Sequence, residues 1–273
     1  MPTAPPTTLH RPDGTRLAYE VRTPPRPPAS TVVLLHGLAG HRAEWDFLAA
    51  SLTAAGHRTI TYDARGHGDS TRRPPTTTRA AHVADAAALI TSLSPPPVTL
   101  VGQSLGGHTA LLLAATHPHL VNRLILLEAG PWQAPADLPD RIAHWLDTWP
   151  VPFPTLAAAT AFFGHEAWAR SLEHRADGWW PRVDRDVMVE SVRELTTRDH
   201  WPEWSRLRCP TLVIRGENGT MPEPDFHRMR THPTTHCVTI PNAGHDVHLD
   251  QPAAVHETIE DFLKFHHPKP TAP

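Results

Sequence analysis

Residues 100–114 read LVGQSLGGHTALLLA. The apolar run Val98–Val101 gives way at Gly102 to a stretch rich in Ala and Leu. Between them lies Gly102-Gln103-Ser104-Leu105-Gly106, a GxSxG pattern. A strand that turns straight into a helix puts the central residue in a strained backbone. The close approach leaves no room for side chains two positions to either side. Such a turn presents the Ser104 hydroxyl at a helix N-terminus, where partial positive charge favours an alkoxide or oxyanion. The pattern alone is weak, since a serine can merely cap a helix. Placed between VTLV and an Ala/Leu helix, it makes Ser104 a candidate nucleophile.

Working outward, short runs rich in Val, Ile and Leu recur: TVVLLH (31–36), RTITYD (58–63), VTLVGQ (98–103), RLILLE (123–128), TLVIRG (211–216) and HCVTIP (236–241). They are continuous rather than alternating, as expected of strands covered on both faces. GTRLAYEV (14–21) adds an earlier strand, expected in an antiparallel hairpin at the sheet edge. Helical patterns separate the runs, over 42–55, 78–93, 105–117 and 252–266. The alternation predicts an α/β fold with a mainly parallel sheet and right-handed crossovers.

The alternation breaks between Gly130 and Trp204. Eight of the nine tryptophans fall there: Trp132, Trp145, Trp149, Trp168, Trp179, Trp180, Trp201 and Trp204. This reads as three or four helices inserted between two core strands. The indoles are expected partly to pack the insertion and partly to line an apolar pocket beneath it.

The 273 residues, 40% hydrophobic, suffice for a substantial core. A net charge of -3 gives no electrostatic reason to expect nucleic acid or an anionic membrane as partner. Cys209 and Cys237 are too few for a disulfide framework and read as reduced core thiols. The start, MPTAPPTTLHRPDG, has no apolar run, and no segment holds about 18 consecutive apolar residues. The expectation is a soluble cytoplasmic protein, monomer or homodimer. Many of the 31 prolines stiffen loops. The 21 histidines invite a metal reading, but no HExxH and no paired cysteine ligands occur, so none is expected. His117 with His119, and His266 with His267, read as surface residues.

Four segments in order carry a family resemblance: LLHGLAG (34–40), YDARGHGDS (62–70), GQSLGG (102–107) and PNAGHDVHLDQP (241–252). They resemble, respectively, the His-Gly oxyanion loop, the Asp-x-Arg-Gly-x-Gly-x-Ser segment, the nucleophile elbow and the C-terminal histidine loop of the α/β-hydrolase superfamily. The resemblance covers roughly residues 14–265. It implies the α/β-hydrolase fold, with 1–130 and 205–273 as the core domain. Residues 131–204 would be a helical cap inserted after the sixth strand. It also implies Ser104 as nucleophile, His245 as general base, and the Leu38 and Leu105 amides as oxyanion hole. Parallel strands end on one sheet edge, so the His245 loop and the elbow should share a crevice. His36 and Gly37 of the oxyanion loop, with Trp132, Trp180 and His248, are candidate pocket residues. Asp63, Arg65 and His67 read as a polar structural cluster under the site.

The acid is where the resemblance breaks. In LVIRGENGT (212–220) the family's usual acid position falls on Gly219, which has no side chain. Three carboxylates remain. Glu128 closes RLILLE; some members of the superfamily, including a subset of haloalkane dehalogenases, place their acid after that strand. An unpaired carboxylate ending five apolar residues would be costly without a partner. Glu217 follows Gly216 directly, two residues early, and is the second choice. Asp225, in MPEPDF, is expected in the first turn of a helix.

The resemblance implies a cofactor-free serine hydrolase. Its substrate would be a small-molecule carboxylic ester or lactone with an apolar or aromatic part, cleaved through an acyl-enzyme. C–C bond hydrolysis or other cofactor-free chemistry on the same residues is the nearer alternative. A low-turnover ligand-binding protein on a hydrolase frame is the further one, and Gly219 is its best support. Dehalogenases and epoxide hydrolases of the superfamily use an aspartate nucleophile, which Ser104 argues against.

Overall fold

The computed structural model describes residues 6–265; His266 and His267 lie outside them. Strands in chain order are β1 (Thr7–His10), β2 (Arg16–Arg22), β3 (Thr31–Leu35), β4 (Arg58–Tyr62), β5 (Val98–Gln103), β6 (Val121–Leu127), β7 (Glu173–Arg175), β8 (Gly178–Trp180), β9 (Thr211–Gly216) and β10 (Thr235–Ile240). Eight form one sheet, ordered β1-β2-β4-β3-β5-β6-β9-β10. The pairs β1–β2 and β2–β4 are antiparallel, and every other pair is parallel. This is the mostly parallel sheet, with an antiparallel edge, that the resemblance implies.

The core helices are α1 (Asp46–Ala54), α2 (Arg79–Leu93) and α3 (Ser104–Thr116). Within 131–204 come α4 (Leu138–Asp147), α5 (Leu156–Phe163), α6 (Glu166–Arg170), α7 (Arg185–Arg193) and α8 (Trp201–Trp204). After β9 follow α9 (Glu223–Arg230), α10 (Val247–Asp250) and α11 (Pro252–Phe265).

Successive strand side chains point to opposite faces. Val33 and Leu35 of β3 pack with Leu89 of α2 and Leu111 of α3. Val32 and Leu34 pack with Trp45, with Leu52 of α1 and with Ile259 and Phe262 of α11. Helices cover both faces, so the central strands are mainly apolar and show no regular alternation in the sequence. A third cluster, with Trp149, Phe153, Trp168 and Met188, lies within the 131–204 segment and reaches Ala39 of the core.

That segment departs from the all-helical expectation. It contains an antiparallel hairpin, β7–β8, bridged to Phe153 through Trp179. Three-residue strands are too short for a period of two to be legible, and the adjacent Trp179 and Trp180 disguise it further. Cys209 and Cys237 are free and half-buried, and burial pushes the Cys209 thiol up to about 11. Among the described residues no helix is long and apolar enough to cross a membrane.

His67, His82 and His108 are among the buried histidines. Burial, with His36 nearby, pushes His67 down to about 3. Burial and the Arg79 charge hold His82 and His108 well below the usual imidazole range. Each is therefore neutral in the folded state at pH values where the unfolded chain already binds a proton. Stability is full above about pH 6.5 and falls as pH drops, approaching about 1.4 kcal/mol per pH unit for each histidine. The melting temperature is accordingly expected to decline steadily from pH 6.5 downward. His108→Leu, which removes two unpartnered ring nitrogens, should make that decline shallower.

Candidate active site

Ser104 begins α3 directly after β5, with a positive φ of 50°. A left-handed backbone costs a residue with a side chain about 1–2 kcal/mol and concentrates at functional sites. The flanking glycines are sterically required. A Cβ on Gly102 would lie 2.6 Å from the Gly106 carbonyl oxygen, and one on Gly106 would overlap the Leu35 and His36 carbonyls. Gln103 reaches across to the histidine loop, donating from Nε2 to the His245 carbonyl at 3.1 Å and to Asp246 Oδ1 at 3.4 Å. Its Oε1 fills the space a Cβ on Gly37 would need. One side chain thus ties elbow, oxyanion loop and histidine loop together.

Glu128, just past β6, also has a φ of 50° and is buried. Its Oε1 accepts the Gly216 N–H at 2.8 Å. Its Oε2 accepts those of Thr220 at 2.7 Å and Met221 at 3.1 Å. Three amide donors replace the water a buried carboxylate loses. Oε2 lies 3.5 Å from His245 Nδ1. Thr220 Oγ1 sits against both, 2.8 Å from Nδ1 and 3.4 Å from Oε2. A Cβ on Gly219 would lie 2.6 Å from Oε2 and overlap Oε1. The Glu128 carboxylate occupies the space that any side chain at 219 would claim.

The competing carboxylates point elsewhere. Glu217 is exposed, and its Oε2 accepts the Asn242 N–H at 3.0 Å. Asp225 stands in the first turn of α9, where partial burial raises its carboxyl above the usual range. His36 is committed on both nitrogens. Nε2 accepts the Ala64 N–H at 3.0 Å, and Nδ1–H donates to the Gly37 carbonyl at 2.7 Å. It buttresses the loop that carries Leu38, where a Gly37–Gly40 turn places Ala39 at a φ of 58°. The Leu105 amide lies in the first turn of α3, where helix amides have no intrahelical acceptor.

A small cavity beside Leu105 is lined by His36 and Gly37, together with His67, His82 and Thr109. The other candidate pocket residues do not line it. Trp132 lies across Gly130 and packs on the core. Trp180 donates from Nε1 to Asp177 Oδ1 at 2.9 Å, under the Arg175 guanidinium. His248 stacks on Trp45, ring centroids 4.4 Å apart, 3.8 Å from Glu44 Oε2.

The expected cluster of Asp63, Arg65 and His67 divides. Asp63 and Asp69 bind Arg42, and Asp69 also binds Arg182 from the 131–204 segment. Arg65 pairs with Asp85 at 2.7 Å, and His67 Nδ1–H donates to the Arg65 carbonyl at 2.9 Å. His41, Asp63 and Asp69 have their ligand atoms grouped closely enough for a cation, but two guanidiniums already neutralise the carboxylates.

Reasoning from the sequence missed Thr220, and also the two residues that hold the histidine loop to α6. Trp168 Nε1 donates to Asp246 Oδ2 at 3.0 Å. His165 Nε2 lies 2.9 Å from Asp250 Oδ1, while Asp250 Oδ2 accepts the Gly244 N–H at 2.7 Å. No local pattern marks such long-range partners.

The model of the alpha/beta hydrolase family matches residues 32–258, most of the chain, including Ser104, Glu128 and His245. The chain belongs to the alpha/beta hydrolase family. Within that family it is 29% identical over 250 residues to the sn-1-specific diacylglycerol lipase ABHD11 of Mus musculus, covering 85% of this chain and 80% of the lipase. It is also 29% identical over 253 residues to the esterase Rv0045c of Mycobacterium tuberculosis, covering 86% and 83%. Its fold superposes on that of E-2-(acetamidomethylene)succinate hydrolase with a TM-score of 0.81, at 22% identity over 94% of this chain and 99% of the other.

The steric exclusion between Glu128 and Gly219 makes a measurable prediction. Gly219→Ala should cost about 1–3 kcal/mol of stability, the usual range for overpacking. In a Glu128→Gly background the same change should cost almost nothing. Urea melts of the four proteins test this, and equal costs in both backgrounds would refute the exclusion.

Proposed function

We propose that this hydrolase-family protein cleaves a carboxylic ester or lactone carrying an apolar or aromatic part, through an acyl-enzyme on Ser104. A serine hydroxyl is a poor nucleophile until a neighbour accepts its proton. In this reading His245 Nε2 takes that proton while Ser104 Oγ attacks the carbonyl carbon. The Leu38 and Leu105 amides receive the developing oxyanion, a contribution of about 3 kcal/mol per donor. Protonated His245 then hands its proton to the leaving alkoxide. A water, deprotonated by His245 in turn, releases the acid. Glu128 holds the imidazole and stabilises its protonated form.

The observation that carries the reading is the placement of Glu128 Oε2 3.5 Å from His245 Nδ1, in the space Gly219 leaves open. The missing acid in LVIRGENGT was the best support for a low-turnover binding protein, and a carboxylate from β6 stands in its place. The diacylglycerol lipase and esterase relatives support ester chemistry. Leu38, Ile142, Trp145, Leu146 and Leu249 are half-buried against the third cluster and would receive the apolar part of a small-molecule substrate.

Fluorophosphonate treatment followed by mass spectrometry tests the nucleophile. Stoichiometric labelling that vanishes in Ser104→Ala is expected; no labelling where related esterases react would overturn the proposal. For the acid, p-nitrophenyl ester hydrolysis separates the candidates. Glu128→Gln should lower kcat by at least about a hundredfold, whereas Glu217→Gln should stay close to the parent. Equal, mild losses would exclude Glu128.

A further inference from the structure

The link between Glu128 and His245 is not a simple pair. The carboxylate–imidazole separation of 3.5 Å is long for a direct N–H···O bond. The shorter contact of His245 Nδ1 is to Thr220 Oγ1, at 2.8 Å. That hydroxyl in turn donates to Glu128 Oε2 over 3.4 Å, itself longer than a usual O–H···O bond, so the relay closes fully only when the two groups draw together. We propose that Thr220 is a positioning residue whose hydroxyl accepts the His245 Nδ1–H and gives its own proton to Glu128. It would thereby fix the imidazole tautomer that leaves Nε2 able to take a proton from Ser104. This rests on the reading of Ser104 and His245 given above.

The direction of the chain follows from donor chemistry. A hydroxyl donates once and accepts, whereas an ionised carboxylate only accepts. If Thr220 donated to Nδ1, the ring proton would sit on Nε2, facing the serine, and His245 could not act as base. Glu128 prevents this by being the acceptor for the Thr220 proton. The carboxylate is itself anchored, because Gly216, Thr220 and Met221 donate their amides to it. The Thr220 amide and hydroxyl both face Oε2, so one residue anchors the acid and relays its orientation to the ring.

Among the described residues, the other carboxylates of the loop and its neighbour already have partners. Asp246 is held by Gln103 and Trp168, Asp250 by the Gly244 amide and His165, and Glu217 by the Asn242 amide. Gly219 is essential to the arrangement, since a side chain there would displace Oε2 from the Thr220 hydroxyl. The tetrapeptide Glu217-Asn218-Gly219-Thr220 thus supplies a hydroxyl one residue beyond the position where the family's usual acid would stand.

Thr220→Val replaces the hydroxyl with a methyl of similar size, and Thr220→Ser keeps it. Thr220 is exposed, so both variants should fold, which a thermal melt checks. The first readout is the His245 imidazole in ¹⁵N-labelled protein, assigned by the signal lost in His245→Asn. The Nδ1–H tautomer should dominate in the parent and in Thr220→Ser, and give way to a mixture in Thr220→Val. The second is ester hydrolysis. Thr220→Val should lower kcat about tenfold or more with KM unchanged, and Thr220→Ser should recover most of the rate. An unchanged tautomer in Thr220→Val overturns the proposal whatever the rate, as does a Thr220→Ser variant no better than Thr220→Val. The ring spectrum needs no turnover. A failure of Ser104 to label would therefore sink the hydrolase reading while leaving this one separately decided.

Discussion

A carboxylate buried at the end of β6 constrains the whole C-terminal edge of the sheet. Out of water, an isolated carboxylate costs several kcal/mol, so donors must surround it. The β9 loop supplies them by bending three backbone N–H groups onto Glu128. The geometry exacts two further conditions. Glu128 must take a left-handed backbone conformation, and residue 219 must lack a side chain. Acid and glycine are therefore one feature seen from two strands. The loop that meets these conditions also delivers Thr220 to His245.

The histidine loop is also held by the 131–204 segment. Asp246, next to His245, bridges Gln103 of the elbow and Trp168 of α6, and Asp250 bridges the Gly244 amide and His165. Further along, Arg72–Glu173, Arg73–Asp184 and Arg182–Asp69 join the same segment to residues 69–73. Partly exposed ion pairs of this kind contribute little individually to stability. Their value is geometric: they fix where α6 and the hairpin β7–β8 sit over the sheet edge, and so where His245 stands. The apolar cluster around Trp149 and Phe153 gives the segment an interior of its own.

Much of this architecture is legible in one dimension because its causes are local. Continuous Val/Ile/Leu runs mark strands with helices on both faces, and GQSLGG marks a turn that only glycine-flanked residues can make. The contacts of Trp132, Trp180 and His248 were not legible, since an aromatic ring near a loop meets neighbours that are distant in sequence. The hairpin β7–β8 escaped for the related reason that three residues carry no period.

By itself the sequence determined the order of the central strands and their covering helices, the place of Ser104 on a strained turn and the absence of an acid at 219, because each depends on residues within a few positions of one another. It also put Glu128 first as the acid, with Glu217 second and Asp225 behind them, because a carboxylate closing an apolar strand needs a partner. Bringing that carboxylate to the histidine lay beyond it. The distance from Glu128 to His245 depends on β6 pairing with β9 and on a loop wrapping three amides around one carboxylate. Contacts between residues about a hundred positions apart leave no local signature. Only the folded sheet, which sets β6 beside β9, decides which carboxylate meets the histidine and which hydroxyl stands between them.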